Sequence, residues 1–317
     1  MNIIQGPLAG VSCAPFRLLT WRYSRPAFSC SEMMSCKTLI HQSHWQRRFI
    51  EKDPNEGPVC FQLSGNNLKE LAEATQRATD YGADLIDLNC GCPVKKIRHK
   101  GAGSRLLADP MLLYQLIIAM KQQTHLPVSV KIRVDGLSDE KFNQDIAKAI
   151  ADAGPDFLVV HGRHWSEDYH ISCHYAEIQF FVEQLKIPVI GNGDIACVES
   201  LKAMLATGCA GVMIARAGMG QPWLIRQLIA QMQGGDFIMP SLLARGGMFL
   251  EHVERLSILI NNEKLALFQA RKFAKYYARE QWWRNDFCQA VQHCDSLAEL
   301  RACCELYFAI SQRVILP

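Results

Sequence analysis

Cys92 stands in the run Asn89-Cys90-Gly91-Cys92-Pro93, at the close of an apolar stretch and ahead of a strongly basic segment. A thiol so placed can act as a nucleophile or as a proton donor. No histidine lies beside it to serve as a base, which favours the donor. Other apolar runs also close on polar residues: Glu32, Gln62, Lys131 with Arg133, His161 with Arg163, Asn192 with Asp194, and Arg216. One such residue is usually structural, but a ring contributed by several runs marks a site. The glycines of Gly191-Asn192-Gly193-Asp194 and Ala215-Arg216-Ala217-Gly218 let backbone N–H groups approach an anion, and Arg216 adds paired donors. Phosphate is the expected occupant; tight turns are the plainer alternative. Lys131 requires a negative partner, because a buried unpaired ammonium is costly. A phosphorylated cofactor with an anionic ring would supply one, as would a salt bridge to a carboxylate such as Asp87.

Two segments carry concentrated positive charge. Five of the eleven residues from Lys95 to Arg105 are Lys or Arg (among them Lys96 and Arg98) and none is acidic. That loop reads either as a solvated surface or as a mobile lid over a polyanion. Between Lys264 and Arg284 lie six basic residues against the single acid Glu280. Arg271, Lys275 and Arg279 are four apart, so on a continuous helix they share a face, with Lys272 beside them. Phosphate contact is expected of that face, whereas Tyr276, Tyr277, Trp282 and Trp283 are expected to pack a core. The whole chain, with Lys+Arg 34 against Asp+Glu 31, carries only +3, so clusters alone signal a nucleic acid.

The thirteen cysteines include no pair of C-x-x-C knuckles, so no metal is expected and most thiols should be buried small hydrophobes. With ordinary globular composition, no leader pattern and no membrane-length apolar run, the chain reads as a soluble, cytoplasmic monomer with reduced thiols.

A strand rhythm must position these residues. Runs at 58–63, 127–132 and 188–192 enter through Pro-Val, and runs at 82–88, 154–160 and 208–214 enter through a glycine able to cap a preceding helix in the left-handed conformation. Ile3 to Leu8 and Ala27 to Met33 are two further candidates. Asn66 or Asn67, Asp109-Pro110, Ser138, the segment from Cys197 to Ala206, and Pro222 open the intervening helices. Eight strands in βα alternation predict an α/β fold, a (β/α)8 TIM barrel, over a doubly wound sheet, since no G-x-G-x-x-G follows the first strand. Residues 1–239 form the barrel in this reading, and a small all-helical domain follows over 240–317, its last helix opened by a capping box at Ser296–Glu299.

These motifs resemble the tRNA-dihydrouridine synthase family, most closely its DusB-type branch. The likeness runs through Gly6-Pro7-Leu8-Ala9-Gly10-Val11, Ser31-Glu32-Met33-Met34-Ser35, Asn89 to Lys96, Lys131-Ile-Arg133, His161-Gly-Arg163, Asn192-Gly-Asp194 and Met213 to Ala217. It persists in Gln221-Pro222-Trp223 and Ala270-Arg271-Lys272. The resemblance implies an FMN-binding barrel with a helical tRNA-binding domain. Pro7, Leu8 and Ala9 would line the flavin, Gln62 and Lys131 would contact its ring, and His161 would border it. Asn192, Gly193, Asp194, Ala215 and Arg216 would hold the phosphate, and Cys92 would be the acid. In such enzymes NADPH (or NADH) reduces FMN, hydride passes to C6 of a D-loop uridine, and the thiol protonates C5. Asn89, Lys95, Lys96, Arg98, Arg271, Lys272, Lys275 and Arg279 are then the candidate tRNA contacts.

The chain departs from the family pattern in four places: Leu8 replaces a methionine, Cys13 an aspartate, His164-Trp165 a Thr-Arg pair, and Ile171 a glycine. Two other readings compete: a dihydroorotate dehydrogenase-like flavin barrel acting on a free small molecule, and a non-catalytic tRNA-binding protein. A small substrate needs neither the basic loop nor the added helices, and an inert binder needs neither Cys92 nor Lys131.

Overall fold

A computed structural model describes residues 2–41, 46–136 and 140–309. Nine parallel strands run in chain order: β1 (Asn2–Gln5), β2 (Ser29–Cys30), β3 (Met34–Ser35), β4 (Val59–Ser64), β5 (Leu85–Cys90), β6 (Val128–Arg133), β7 (Phe157–His161), β8 (Val189–Asn192) and β9 (Gly211–Ile214). From β4 to β9 each pairs with the next, β9 pairs with β1, and β2 joins β1 to β4, closing the ring. With β2 and β3 serving as two halves of one position, this is the eight-stranded TIM barrel that the rhythm predicts.

The predicted second strand is interrupted. Cys30 aligns with Cys60 and Met34 with Leu63, four steps on one strand against three on the other. That extra residue acts as a bulge. Glu32 leaves the ladder there, and instead of joining the ring of site residues it is buried, accepting from Gly10 N at 2.6 Å and Arg48 Nε at 2.7 Å. The first strand also stops early, at Gln5, which frees Gly6 to Ala9 to bend over the barrel end.

Helices alternate with the strands, and two of the expected caps are in place, whereas the helix after Pro222 starts at Leu224 with no side-chain cap. Asn67 Oδ1 accepts from Glu70 N, and Asp109 Oδ1 from Leu112 N with Pro110 following. Gly82, Gly154 and Gly208 all take positive φ after their helices. The expected cap at Ser138 lies outside the described residues. At Ser296 the side chain accepts from Glu299 N, but the Glu299 carboxylate accepts from Asp295 N rather than Ser296 N, one residue short of a reciprocal box.

After an irregular stretch ending at Ser241, the described chain is helical: Leu242–Ile260, Glu263–Tyr277, Arg284–His293 and Leu297–Ala309. Their apolar faces (Phe249, Phe273, Phe287, Phe308) share a core with Val11, Phe16, Met219 and Trp223. Val11 and Met219 sit in loops following β1 and β9, so these helices pack at the barrel end where the strands terminate. Tyr277 and Trp283 pack this core as expected, but Trp282 is 82% exposed and Tyr276 only half-buried. No described helix is long and apolar enough to cross a membrane.

Candidate active site

Period-2 alternation decides what faces the barrel interior. On β5, Ile86, Leu88 and Cys90 join the layer between strands and helices, leaving Asp87 and Asn89 facing inward. On β6 the same rule sends Val130 and Ile132 outward and Ser129, Lys131 and Arg133 inward. Inward residues therefore lie side by side across the strands: Gln62 beside Asp87, Asp87 beside Ser129, Asn89 beside Lys131, Arg133 beside His161, His161 beside Asn192.

A cavity of about 620 Å³ opens over them. Its wall includes every predicted flavin residue (Pro7, Leu8, Ala9, Gln62, Lys131, His161, Asn192, Gly193, Asp194, Ala215, Arg216) together with Cys92 and Asn89. Arg133, Met33, Tyr169, Tyr276 and Arg279 line it too, and the predicted flavin set contains none of these. Arg163 and Glu32, which close their strands in sequence, do not line it. Arg163 is instead buried, donating to Ile171 O and to the Asp194 carboxylate.

A chain of amides fixes the Cys92 turn. Ser129 Oγ and Gln62 Nε2 both donate to the Asp87 carboxylate, at 2.6 and 2.8 Å. Gln62 Oε1 accepts from Asn89 Nδ2 at 2.8 Å, and Asn89 Oδ1 accepts from Cys92 N at 3.0 Å. From the other side, Ser104 donates through both its N–H and its hydroxyl to Cys92 O, each at 3.0 Å. The half-buried thiol therefore sits on a backbone pinned at both ends. Arg133 Nε adds a bond to Gly91 O at 2.8 Å. Asn89, a candidate RNA contact by resemblance, is buried and serves here to hold the Cys92 turn.

The Asp87 carboxyl shows the electrostatics. Burial pushes it up to about 6, against the two hydrogen bonds and the Lys131 charge, which pull it down. With its folded value above the ordinary 3.8, Asp87 stabilises most below that value and loses this contribution as pH rises through about 6. Asp87→Asn has no such titration. Urea unfolding from pH 4 to 7 should show the variant gaining on the parent by on the order of 1–3 kcal/mol as pH rises; a pH-independent difference would contradict this.

Lys131 makes no salt bridge to Asp87. Its Nζ donates to Asn192 Oδ1 at 2.8 Å, and Asn192 Nδ2 donates to Met213 O at 2.8 Å. The Asn192 side chain is thus engaged in aiming Lys131. Desolvation, then the neighbouring Arg133, lowers the Lys131 ammonium to about 8. His161 is held well below its ordinary value by desolvation and then by Lys131, Arg133, Arg163 and Arg216, which keeps it neutral near pH 7.

At the opposite wall, Gly193 has φ +136, and a Cβ there would lie 2.6 Å from Cys173 Sγ, so the turn requires glycine. Asp194, next along, directs its carboxylate to Arg163 and, at 3.9 Å, to Arg216. Lys131, Arg133, Arg216 and Arg279 therefore line the cavity against one carboxylate that is already paired. The cavity is therefore positive, with glycine-built turns and a thiol on its wall, an arrangement able to hold an anion. The residues fit a flavin mononucleotide.

The basic loop is folded and in contact with its surroundings. Lys95–His99 is a short helix followed by a 3₁₀ turn over Gly103–Ala108. Arg98 is half-buried, with its guanidinium 3.1 Å from the Trp165 ring centroid and Nη1 on Ser104 Oγ, whereas Lys95 and Lys96 are exposed. The Tyr169 ring likewise covers Arg216, at 3.3 Å. The divergent loop after β7 thus places aromatics on Arg98 of the basic loop and on Arg216 of the cavity wall, which no local pattern forecasts.

Arg279 departs from its predicted place. The helix ends at Tyr277, so Arg279 is out of register with Arg271 and Lys275 and turns back to the barrel, while those two and Lys272 remain exposed.

The dihydrouridine synthase (Dus) family model matches residues 4–309. The chain is 33% identical to tRNA-dihydrouridine synthase B of Xanthomonas axonopodis pv. citri, over 93% of this chain and 89% of that one. It is 35% identical to the probable tRNA-dihydrouridine synthase 1 of a Synechocystis strain, over 88% and 78%. The solved 6-hydroxypseudooxynicotine amine oxidase of Pseudomonas geniculata shares the fold, with a TM-score of 0.57 at 14% identity over 73% of this chain and 47% of that one. A closed parallel barrel, the motif residues gathered at its strand ends, and a match over nearly the whole length have one common explanation: the chain belongs to the dihydrouridine synthase family.

Proposed function

We propose that this protein is a flavin-dependent tRNA-dihydrouridine synthase, reducing the C5–C6 bond of a D-loop uridine with NADPH as the reductant. The observation that carries the reading is the cavity itself, where a pinned cysteine, an inward lysine and a glycine–arginine anion site converge. The relatives' names support the substrate. FMN, when bound, supplies hydride chemistry at C6 of the uracil.

The protein's own residues do the rest. Backbone N–H groups of the Gly193–Asp194 and Ala215–Arg216 turns and the Arg216 guanidinium hold the phosphate. Pro7, Leu8 and Ala9 form the apolar wall, and Gln62 and Lys131 meet the ring. Lys131 stabilises negative charge there, aimed by Asn192. Cys92 delivers a proton to C5 once the base is in place. The uridine must be turned out of the tRNA fold to reach this depth. Lys95, Lys96, Arg271, Lys272 and Lys275, all exposed, meet tRNA phosphates.

The decisive experiment is incubation with unmodified tRNA, FMN and NADPH, followed by nucleoside mass spectrometry. Dihydrouridine at one position is expected; reduction of free uridine or another small molecule, with tRNA untouched, would reject the reading. For the basic face, Arg271→Ala with Lys275→Ala should weaken tRNA binding and lower the log–log salt slope by up to about 0.9 per lost contact. An unchanged slope would remove that face from the interface.

A further inference from the structure

Arg279 belongs to the helical part of the chain yet lines the barrel cavity. Its Nη1 and Nη2 donate to Ala217 O at 3.5 Å and Met219 O at 3.2 Å, in the loop that Arg216 opens. This approach is enforced by backbone packing. At Gly220, with φ +69, a Cβ would lie 2.3 Å from the Tyr276 carbonyl carbon and 2.7 Å from Tyr277 N. No other residue allows the end of helix Glu263–Tyr277 to close so tightly on the loop after β9.

A guanidinium has five N–H donors, and the two carbonyls engage only two of them. Among the described residues no carboxylate bonds to it: Glu280, next in sequence and exposed, offsets the charge only through space, and Asp194 is held by Arg163. Desolvation lowers the Arg279 guanidinium, a cost that an anion in the cavity would offset. By contrast, Arg271 and Lys275 stand in solvent, where a polyanion outside the protein would meet them.

We propose that Arg279 is a cofactor-binding residue, which with Arg216 grips the phosphate of a flavin nucleotide, so that the helical segment completes the cofactor site rather than only meeting RNA. This rests on the reading that the cavity takes FMN. It makes flavin retention dependent on how the helices dock.

The test compares full-length protein, stripped of flavin, in fluorescence titrations with FMN and with riboflavin, which lacks the phosphate. Arg279→Ala is expected to raise the FMN Kd about tenfold or more, as loss of one charge-assisted contact does, and to leave riboflavin binding unchanged. Arg279→Gln keeps donors for the two carbonyls but no charge, and should lose FMN affinity as the alanine variant does; Arg279→Lys should recover part of it. Equal losses for FMN and riboflavin, full rescue by glutamine, or an unchanged FMN Kd would each overturn the assignment while leaving the function standing. Parent protein that binds neither flavin would reject the function itself, and the assignment with it.

Discussion

Cys92→Ala is expected to bind flavin and oxidise NADPH as the parent does while its reduction of tRNA uridine falls by roughly 10² or more, the usual contribution of a positioned general acid. The separation follows from geometry. The turn that carries the thiol is held by backbone bonds to Asn89 and Ser104, and these survive the substitution. Lys131 and Asn192 lie on other strands, and the Gly193–Asp194 and Ala215–Arg216 turns follow other strands. Cys90→Ala provides the contrast: Cys90 is fully buried among Leu88, Ile132 and their neighbours, so its loss trims packing without touching the cavity. Single-turnover mixing with reduced enzyme and unmodified tRNA measures the step directly. A parent-like rate in Cys92→Ala would assign the proton to another donor.

Glu32→Ala should cost a large part of the stability. Glu32 and Arg48 form a pair at 2.7 Å with side chains 6% and 8% exposed, and Arg48 Nη1 also donates to Gln269 at 2.9 Å. Removing the carboxylate strands a guanidinium in the interior, which costs about 3–5 kcal/mol. Urea unfolding gives the number; a loss under about 1 kcal/mol would mean that Arg48 is compensated without Glu32. There is a functional consequence too. Gly10 N loses its 2.6 Å acceptor, and Gly10 ends the Pro7–Ala9 wall of the cavity. The same pair, through Gln269, ties that wall to helix Glu263–Tyr277, so weaker flavin retention should accompany the lost stability.

The barrel was legible because its signals are local. Pro-Val and glycine entries, β-branched runs and asparagine or aspartate caps act within a few residues, and burial on both faces stamps a continuous apolar run on each strand. The ring of Gln62, Lys131, His161, Asn192 and Arg216 was legible for the same reason: a polar residue closing an apolar strand in such a fold has one end of the barrel to occupy. Partners distant in sequence were decided only by the tertiary structure. Glu32 reads as a site residue until a one-residue bulge turns it to Arg48. Asn89 reads as an RNA contact; its register beside Lys131 and its bond to Gln62 make it a brace for Cys92 on the cavity wall as well. Arg279 shares a spacing with Arg271 and Lys275, but the helix stops two residues short of it, and contact with Ala217 and Met219 sends it into the cavity. Periodicity reports which face is buried; it carries nothing about which of several cations finds a carbonyl some 60 residues away. That choice is made when helix and barrel close on Gly220, where the absence of a side chain sets the distance.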